Sequence, residues 1–208
     1  MRAMENRDMS GPYTLERFAN DAVAVIKTLK LDSIILIGHS MSGDISLHMH
    51  HALKGKVLGI IGIDNFKEIG ADISPEQKKQ YDGFLKMIDK DFEHTIPAAT
   101  GFLFSSTTDS TIKNRVNNDV LAGGKTLFIS ILKSIGKQSA FERAEAKQLQ
   151  VPLFLVNSDK DPTNADLLKK YCGASFRIWL IHNSGHYPMI EQPAEFNKLL
   201  DEALQAIK

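Results

Sequence analysis

The chain has 208 residues, 43% apolar and 24% charged, with 7 Pro and 14 Gly, the proportions of a globular protein with one sizeable core. Lys+Arg and Asp+Glu both number 25, so the formal charge is zero, and no basic run marks a nucleic-acid or membrane footprint. Cys172 is the only cysteine, which excludes an intramolecular disulfide; with no motif around it, an inert thiol is expected rather than a catalytic one. The opening "MRAMENRDMSG" lacks an apolar signal core, and no stretch approaches the about 18 apolar residues of a membrane span. The expectation is a cytoplasmic protein, unless an N-terminal shortening has removed a leader.

In chain order, Leu15, Phe18, Ala19, Ala22, Val25, Ile26 and Leu29 recur at helical spacing, which predicts an amphipathic helix over 15–29 capped by Thr14. Ser33 to Ile37 is short and continuously apolar, as a strand buried on both faces would be. A helix follows Ser40 and ends near Gly55, and 56–64 reads as a second buried strand. From 65 to 148 helical patterns follow one another without a strand. "SPEQ" at 74–77 is a capping box with Pro at the first helical position, and Tyr81, Phe84, Leu85, Ile88 and Phe92 then form one apolar face. Helices are also predicted over 110–122, 125–135 (Leu127, Phe128, Ile131, Leu132 and Ile135 inward) and 139–148. Alternation then resumes: strand 151–157, helix 163–171, strand 175–181, and a last helix opened by Pro193. Strands alternating with helices predict an α/β fold, a parallel sheet with flanking helices. The expected organisation is a core part over 1–64, a helical lid insertion over 65–148 and a second core part over 149–208.

Chemistry concentrates at three strand ends. "LIGHSMSG" (36–43) runs from a strand through a sharp turn into a helix, with Gly38 and Ser42 flanking Ser40 at two residues on either side. Such an elbow exposes a serine hydroxyl and aims the Met41 backbone N–H at a developing oxyanion. A serine needs a base and an orienting acid to act as a nucleophile. "VPLFLVNSDKDP" puts Asp161 just past one strand and "NSGHYPMIEQP" puts His186 just past the next. Ligand and catalytic groups belong at the carboxyl ends of parallel strands.

These three motifs resemble the α/β-hydrolase superfamily, in particular its lipase- and esterase-like members with a helical lid, and the resemblance runs from about residue 11 to the C-terminus. It implies Ser40 as nucleophile, Asp161 as acid, His186 as base and Met41 N–H as one oxyanion donor. Ser42 and Ser158 stand where relatives usually carry Gly. Asp159 and Asp64 are alternative acids, since Asp64 also ends a strand and some relatives place the acid there. His39, Asp64 and Tyr187 are candidates for the pocket wall; His182, at a strand end, reads as structural. His48, His50 and His51 read as a polar helix face rather than a metal cluster, and "DKDPTNAD" lacks the sharp-turn glycine and bidentate Glu of a calcium loop, so no metal or cofactor is expected.

A serine at position 40 argues against the dehalogenases and epoxide hydrolases of this resemblance, which use a carboxylate there. The expected reaction is hydrolysis of a small-molecule ester-like substrate of the carboxylesterase type through an acyl-enzyme at Ser40. Thioester, lactone and C–C bond cleavage use the same triad. The alternative is a catalytically weak, hydrolase-like binding or regulatory protein holding an apolar small molecule. Relatives carry further strands upstream and a His-Gly turn that supplies a second oxyanion N–H, and this sequence has neither before Ser40. Losing one such donor costs on the order of 3 kcal/mol. The 33–37 strand then becomes a sheet edge, which must find a partner. Three arrangements provide one: an N-terminally shortened version of a longer hydrolase, two copies pairing edge to edge, or residues 1–13 covering the edge. The isolated chain is therefore expected to be oligomeric, aggregation-prone or weakly active.

Overall fold

The structure is a computed structural model and describes residues 13–207. The expected reading of the N-terminal segment, and any covering of the sheet edge by residues 1–12, lie outside the described residues.

Four strands form one parallel sheet in the order β1 (Ile34–His39), β2 (Val57–Ile63), β3 (Leu153–Ser158) and β4 (Phe176–Ile181). Each pair is joined through helices: α2 (Ser42–Ala52) between β1 and β2, α8 (Ala165–Tyr171) between β3 and β4, and five helices between β2 and β3. α1 (Leu15–Thr28) precedes the sheet, capped by the Thr14 hydroxyl, which accepts from Arg17 N–H.

Side-chain alternation along the strands sorts the core into two layers. Ile60, Leu153 and Leu155 point to one face, where Ala19, Val23 and Ile26 of α1, Leu47 of α2, Leu53 just after it and Leu168 of α8 cover them. Ile61, Ile63, Phe154, Val156, Trp179 and Ile181 point to the other, covered by Phe196, Leu199 and Ala203 of α10 (Pro193–Gln205), which follows the short α9 (Pro188–Glu191). α10 lies over β3 and β4, and among the described residues β1 is only partly covered on that face: Ile35 packs into this layer, whereas Ile37 is 46% exposed. Among the described residues β1 pairs only with β2, so it is an edge strand, as expected.

The segment between β2 and β3 holds α3 (Pro75–Lys90), α4 (Phe92–Gly101), α5 (Ser110–Gly123), α6 (Lys125–Ile135) and α7 (Ser139–Gln148), and no strand. The Ser74–Gln77 capping box forms as expected. Sequence reading ran α3 through Phe92, whereas Asp91 ends α3 and its carboxylate caps a separate helix, α4, accepting from His94 N–H. Pro97 inside α4 hid that helix from a propensity reading. The apolar face of α6 is half-buried rather than inward, with Ser134 its only fully buried residue. Among the described residues no helix is long and apolar enough to cross a membrane.

Candidate functional site

The carboxyl ends of all four strands converge on one side of the sheet. Parallel-type bonds continue past the strand ends: Ser40 N–H donates to Ile63 O at 3.0 Å and Asp64 N–H to Val156 O at 3.2 Å. Ser40 and Asp64 therefore stand side by side on adjacent strands. Both have positive φ, 52° and 45°, a conformation that non-glycine residues rarely hold without a structural reason.

At Ser40 that reason lies in the turn. A Cβ at Gly38 would collide with the Ser42 carbonyl, so only glycine lets β1 approach α2 this closely. Asn65 locks the turn, its Nδ2 donating to Gly38 O at 2.8 Å and Ser40 O at 3.3 Å. Asn157 holds Asn65 in turn, accepting from its N–H and donating to its carbonyl. Ser40 is half-buried, and Met41 directly precedes the first turn of α2, where backbone N–H groups have no helical acceptor.

His186 and Asp64 are joined by one short bond, in which His186 Nδ1–H donates to Asp64 Oδ2 at 2.7 Å. The expected acid, Asp161, is not the carboxylate that meets His186: Asp161 is exposed and has no hydrogen bond or ion pair among the described residues. The loop after β3 carries Asp161 outward, while Lys160 turns back to donate to the carbonyls of Phe102 and Phe104. Asp159, the second alternative, is spent on a surface pair with His182, whose Nδ1 lies 2.7 Å from its Oδ2.

Asp64 is 4% exposed and fully engaged. Its Oδ1 accepts from Ser158 N–H at 2.8 Å and Ser158 Oγ–H at 2.7 Å, and pairs with Lys67 Nζ at 2.9 Å. Burial alone would push this carboxyl up. The bonds from His186, Lys67 and Ser158 outweigh that, and it titrates well below the usual carboxylate range. Ser158, where the resemblance expected glycine, thus supplies a second donor to the acid.

The His186 main chain is fixed from two sides. Its N–H donates to Leu103 O and its carbonyl accepts from His39 Nε2–H, both at 2.6 Å. The His39 and His186 rings are 4.7 Å apart, and Tyr187 lies within 5.4 Å of His39. His39 and Tyr187 thus both lie beside the His186 ring. Burial, and the neighbouring His186, lower the His39 pKa, which suits a neutral ring donating through Nε2. Burial raises Tyr187, with Glu191 adding to the shift. Tyr187 also stacks on Phe104, so the segment after α4 packs directly against the base.

Sequence reading missed Lys67, Asn65 and the support role of Ser158. The available signal was the run "DNFK" leaving β2, an acid followed three residues later by a lysine on the same turn. Of the α2 histidines, His50 is buried, His48 is half-buried and His51 stays exposed. His50 and His51 donate to the two oxygens of buried Glu145 on α7 at 2.8 and 2.9 Å, and His48 stacks on Phe141. Among the described residues no group of three or more His, Cys, Asp or Glu could hold a metal.

Solved structures share this architecture. An esterase from Exiguobacterium antarcticum superposes with a TM-score of 0.80 at 17% identity, over 94% of this chain and 75% of its own. A bromoperoxidase from Bacillus anthracis gives 0.81 at 15% identity, over 97% and 78%. The enol-lactonase from Burkholderia xenovorans LB400 gives 0.76 at 19%, over 96% and 76%. At such identities the likeness is one of fold. Among curated proteins nothing matches the sequence. The model of the alpha/beta hydrolase family, however, matches residues 5–199, nearly the whole chain, and on that match the protein belongs to the α/β-hydrolase family.

Proposed function

We propose that this chain is a serine hydrolase of the carboxylesterase type, with Ser40 as nucleophile, His186 as base, Asp64 as acid and the Met41 N–H as an oxyanion donor. The observation that carries it is the 2.7 Å bond from His186 Nδ1 to a buried, ionised Asp64, on a strand end next to Ser40. That bond commits Nδ1 as a donor and leaves Nε2 as the nitrogen able to take a proton. Ser40 Oγ attacks the ester carbonyl as its proton passes to His186 Nε2. Asp64 stabilises the imidazolium, and the tetrahedral oxyanion draws on the Met41 N–H at the head of α2. The imidazolium then protonates the leaving alcohol, and water repeats the sequence to release the acid. Esterase and lactonase neighbours of the same fold agree with acyl transfer.

Within this reading the helices between β2 and β3 act as a lid. Their support is the contact of the Phe102–Phe104 segment with the His186 loop, and the reading expects a small or medium apolar substrate group. The test is a fluorophosphonate probe with short-chain p-nitrophenyl esters. Labelling at Ser40 and turnover are expected, both abolished in Ser40→Ala. A folded wild type that neither labels nor turns over supports instead a binding protein on a hydrolase frame.

A further inference from the structure

We infer that Lys67 is a positioning residue for the candidate acid: its ammonium, together with Ser158, fixes Asp64 Oδ1 so that Oδ2 alone faces His186. This inference rests on the hydrolase reading above.

Asp64 has two oxygens and they are divided cleanly. Oδ2 takes His186 Nδ1–H, and Oδ1 takes Ser158 N–H, Ser158 Oγ–H and the Lys67 ammonium. Lys67 Nζ also donates to Ser158 Oγ at 3.3 Å, which closes a triangle of Lys67, Ser158 and Asp64. A long lysine side chain ordinarily ends in water, yet this one is half-buried at 17% side-chain exposure, folded back three residues onto its own turn. Its backbone is anchored as well, since Lys67 O accepts from Asn164 N–H at 2.8 Å. The ammonium therefore has a fixed address.

The electrostatic consequence follows from burial. A carboxylate this enclosed is costly unless paired, and a neutral imidazole pairs it only by a hydrogen bond. Lys67 supplies a full opposite charge, which keeps Asp64 ionised whether or not His186 carries a proton. Without it, the pair would have to share a proton to escape the uncompensated charge. The groups facing Asp64 are His186 from the loop after β4, Lys67 from its own turn, Ser158 from β3 and His39 from the end of β1.

The test uses Lys67→Met, Lys67→Gln and Lys67→Arg in the full chain. Two readouts separate positioning from general support: the split between kcat and KM on a p-nitrophenyl ester, and the far-downfield proton resonance of the His186 Nδ1–H···Asp64 bond. Misorienting a reacting group by about an ångström costs on the order of a hundredfold in rate. The expected result is a ten- to hundredfold fall in kcat for Lys67→Met with KM held within about twofold, together with loss or upfield movement of the downfield proton. Lys67→Arg is expected to restore both. Lys67→Gln keeps a donor for Ser158 without the charge, and stands in if the methionine variant does not fold. Folded neutral variants that keep kcat and the downfield proton overturn the inference, as does a folded arginine variant that fails to rescue. If wild type does not label at Ser40, the hydrolase reading fails separately, and the downfield proton alone decides the role of Lys67.

Discussion

Asp64→Asn is the perturbation that separates the acid from its rivals. The native carboxylate accepts four bonds: two from Ser158, one from Lys67 and one from His186. An asparagine there can offer only one oxygen. If that oxygen faces His186, the amide NH2 is pressed against the Ser158 N–H and the Lys67 ammonium, donor against donor. The amide therefore turns its oxygen to Ser158 and Lys67 and its NH2 to His186. Nδ1 must then accept, the ring proton moves to Nε2, and the nitrogen meant to deprotonate Ser40 is already protonated. A base in the wrong tautomer costs about 10⁴-fold in kcat, or about 5.5 kcal/mol of barrier. The stability cost is smaller, about 1–3 kcal/mol, because one buried hydrogen bond is exchanged and Lys67 can turn toward water. Asp161→Asn, at an exposed carboxylate without a partner, is expected to leave kcat within about twofold. The assay is steady-state hydrolysis of p-nitrophenyl acetate by both variants, with urea unfolding to show that each is folded. Collapse of activity in folded Asp161→Asn alongside retention in Asp64→Asn would refute the assignment.

The remaining predictions address supports of the site and the sheet edge. Ser158→Ala removes one of two serine donors to Asp64 while the backbone bond stays; kcat is expected to fall three- to tenfold and stability by about 1 kcal/mol, and unchanged kinetics would show that the hydroxyl is idle. Burial pushes the Asp44 carboxyl up to about 9, with Glu142 beside it contributing, so the folded protein keeps a proton that the unfolded chain releases near pH 4. The folded state then binds the extra proton between about pH 4 and 9, and stability falls as pH rises through that window. Asp44→Asn should flatten the fall, read from urea midpoints at several pH values; an identical slope in the variant would be evidence against it. Finally, we propose that β1, whose outer edge is unpaired among the described residues and which carries exposed Ile37, drives self-association, which Ile37→Lys should suppress in light scattering; a monodisperse monomeric wild type at high concentration would exclude this.

Element order was legible because it rests on local signals. Apolar runs of strand length, the helical spacing of α1 and the capping box at Ser74 each specify their element without long-range help, and the structure forms all three. The motifs around Ser40 and His186 were legible for the same reason, being short and placed at predicted strand ends. The carboxylate that meets His186 was not. Two aspartates follow β3 and one follows β2, and all three are suitably placed by topology alone. Choosing among them requires knowing which carboxylate finds donors, and Ser158 and Lys67 are 94 residues away from and three residues beyond Asp64, respectively. Helix α4 was missed because an internal proline outweighed its pattern, although the Asp91 carboxylate starts it firmly.

The location of the base shows why side-chain motifs alone underdetermine such a site. His186 leaves β4, and β3 separates that strand from β2, the strand carrying Asp64. Its loop must therefore bend back across the top of the sheet, and the loop's own motif does not by itself set the direction of that bend. The direction is imposed from outside: Leu103, in the segment after α4, accepts the His186 N–H, and His39, the residue before the candidate nucleophile, donates to the His186 carbonyl. A Cβ at Gly185 would strike the Leu103 carbonyl and the Phe104 backbone, so the approach depends on glycine there. The helical segment between β2 and β3 is thus joined to the base by its main chain as well as by the Phe104–Tyr187 stack. Displacing that segment cannot leave the His186 imidazole undisturbed, so within the proposed hydrolase reading any movement of these helices would also reorient the candidate base.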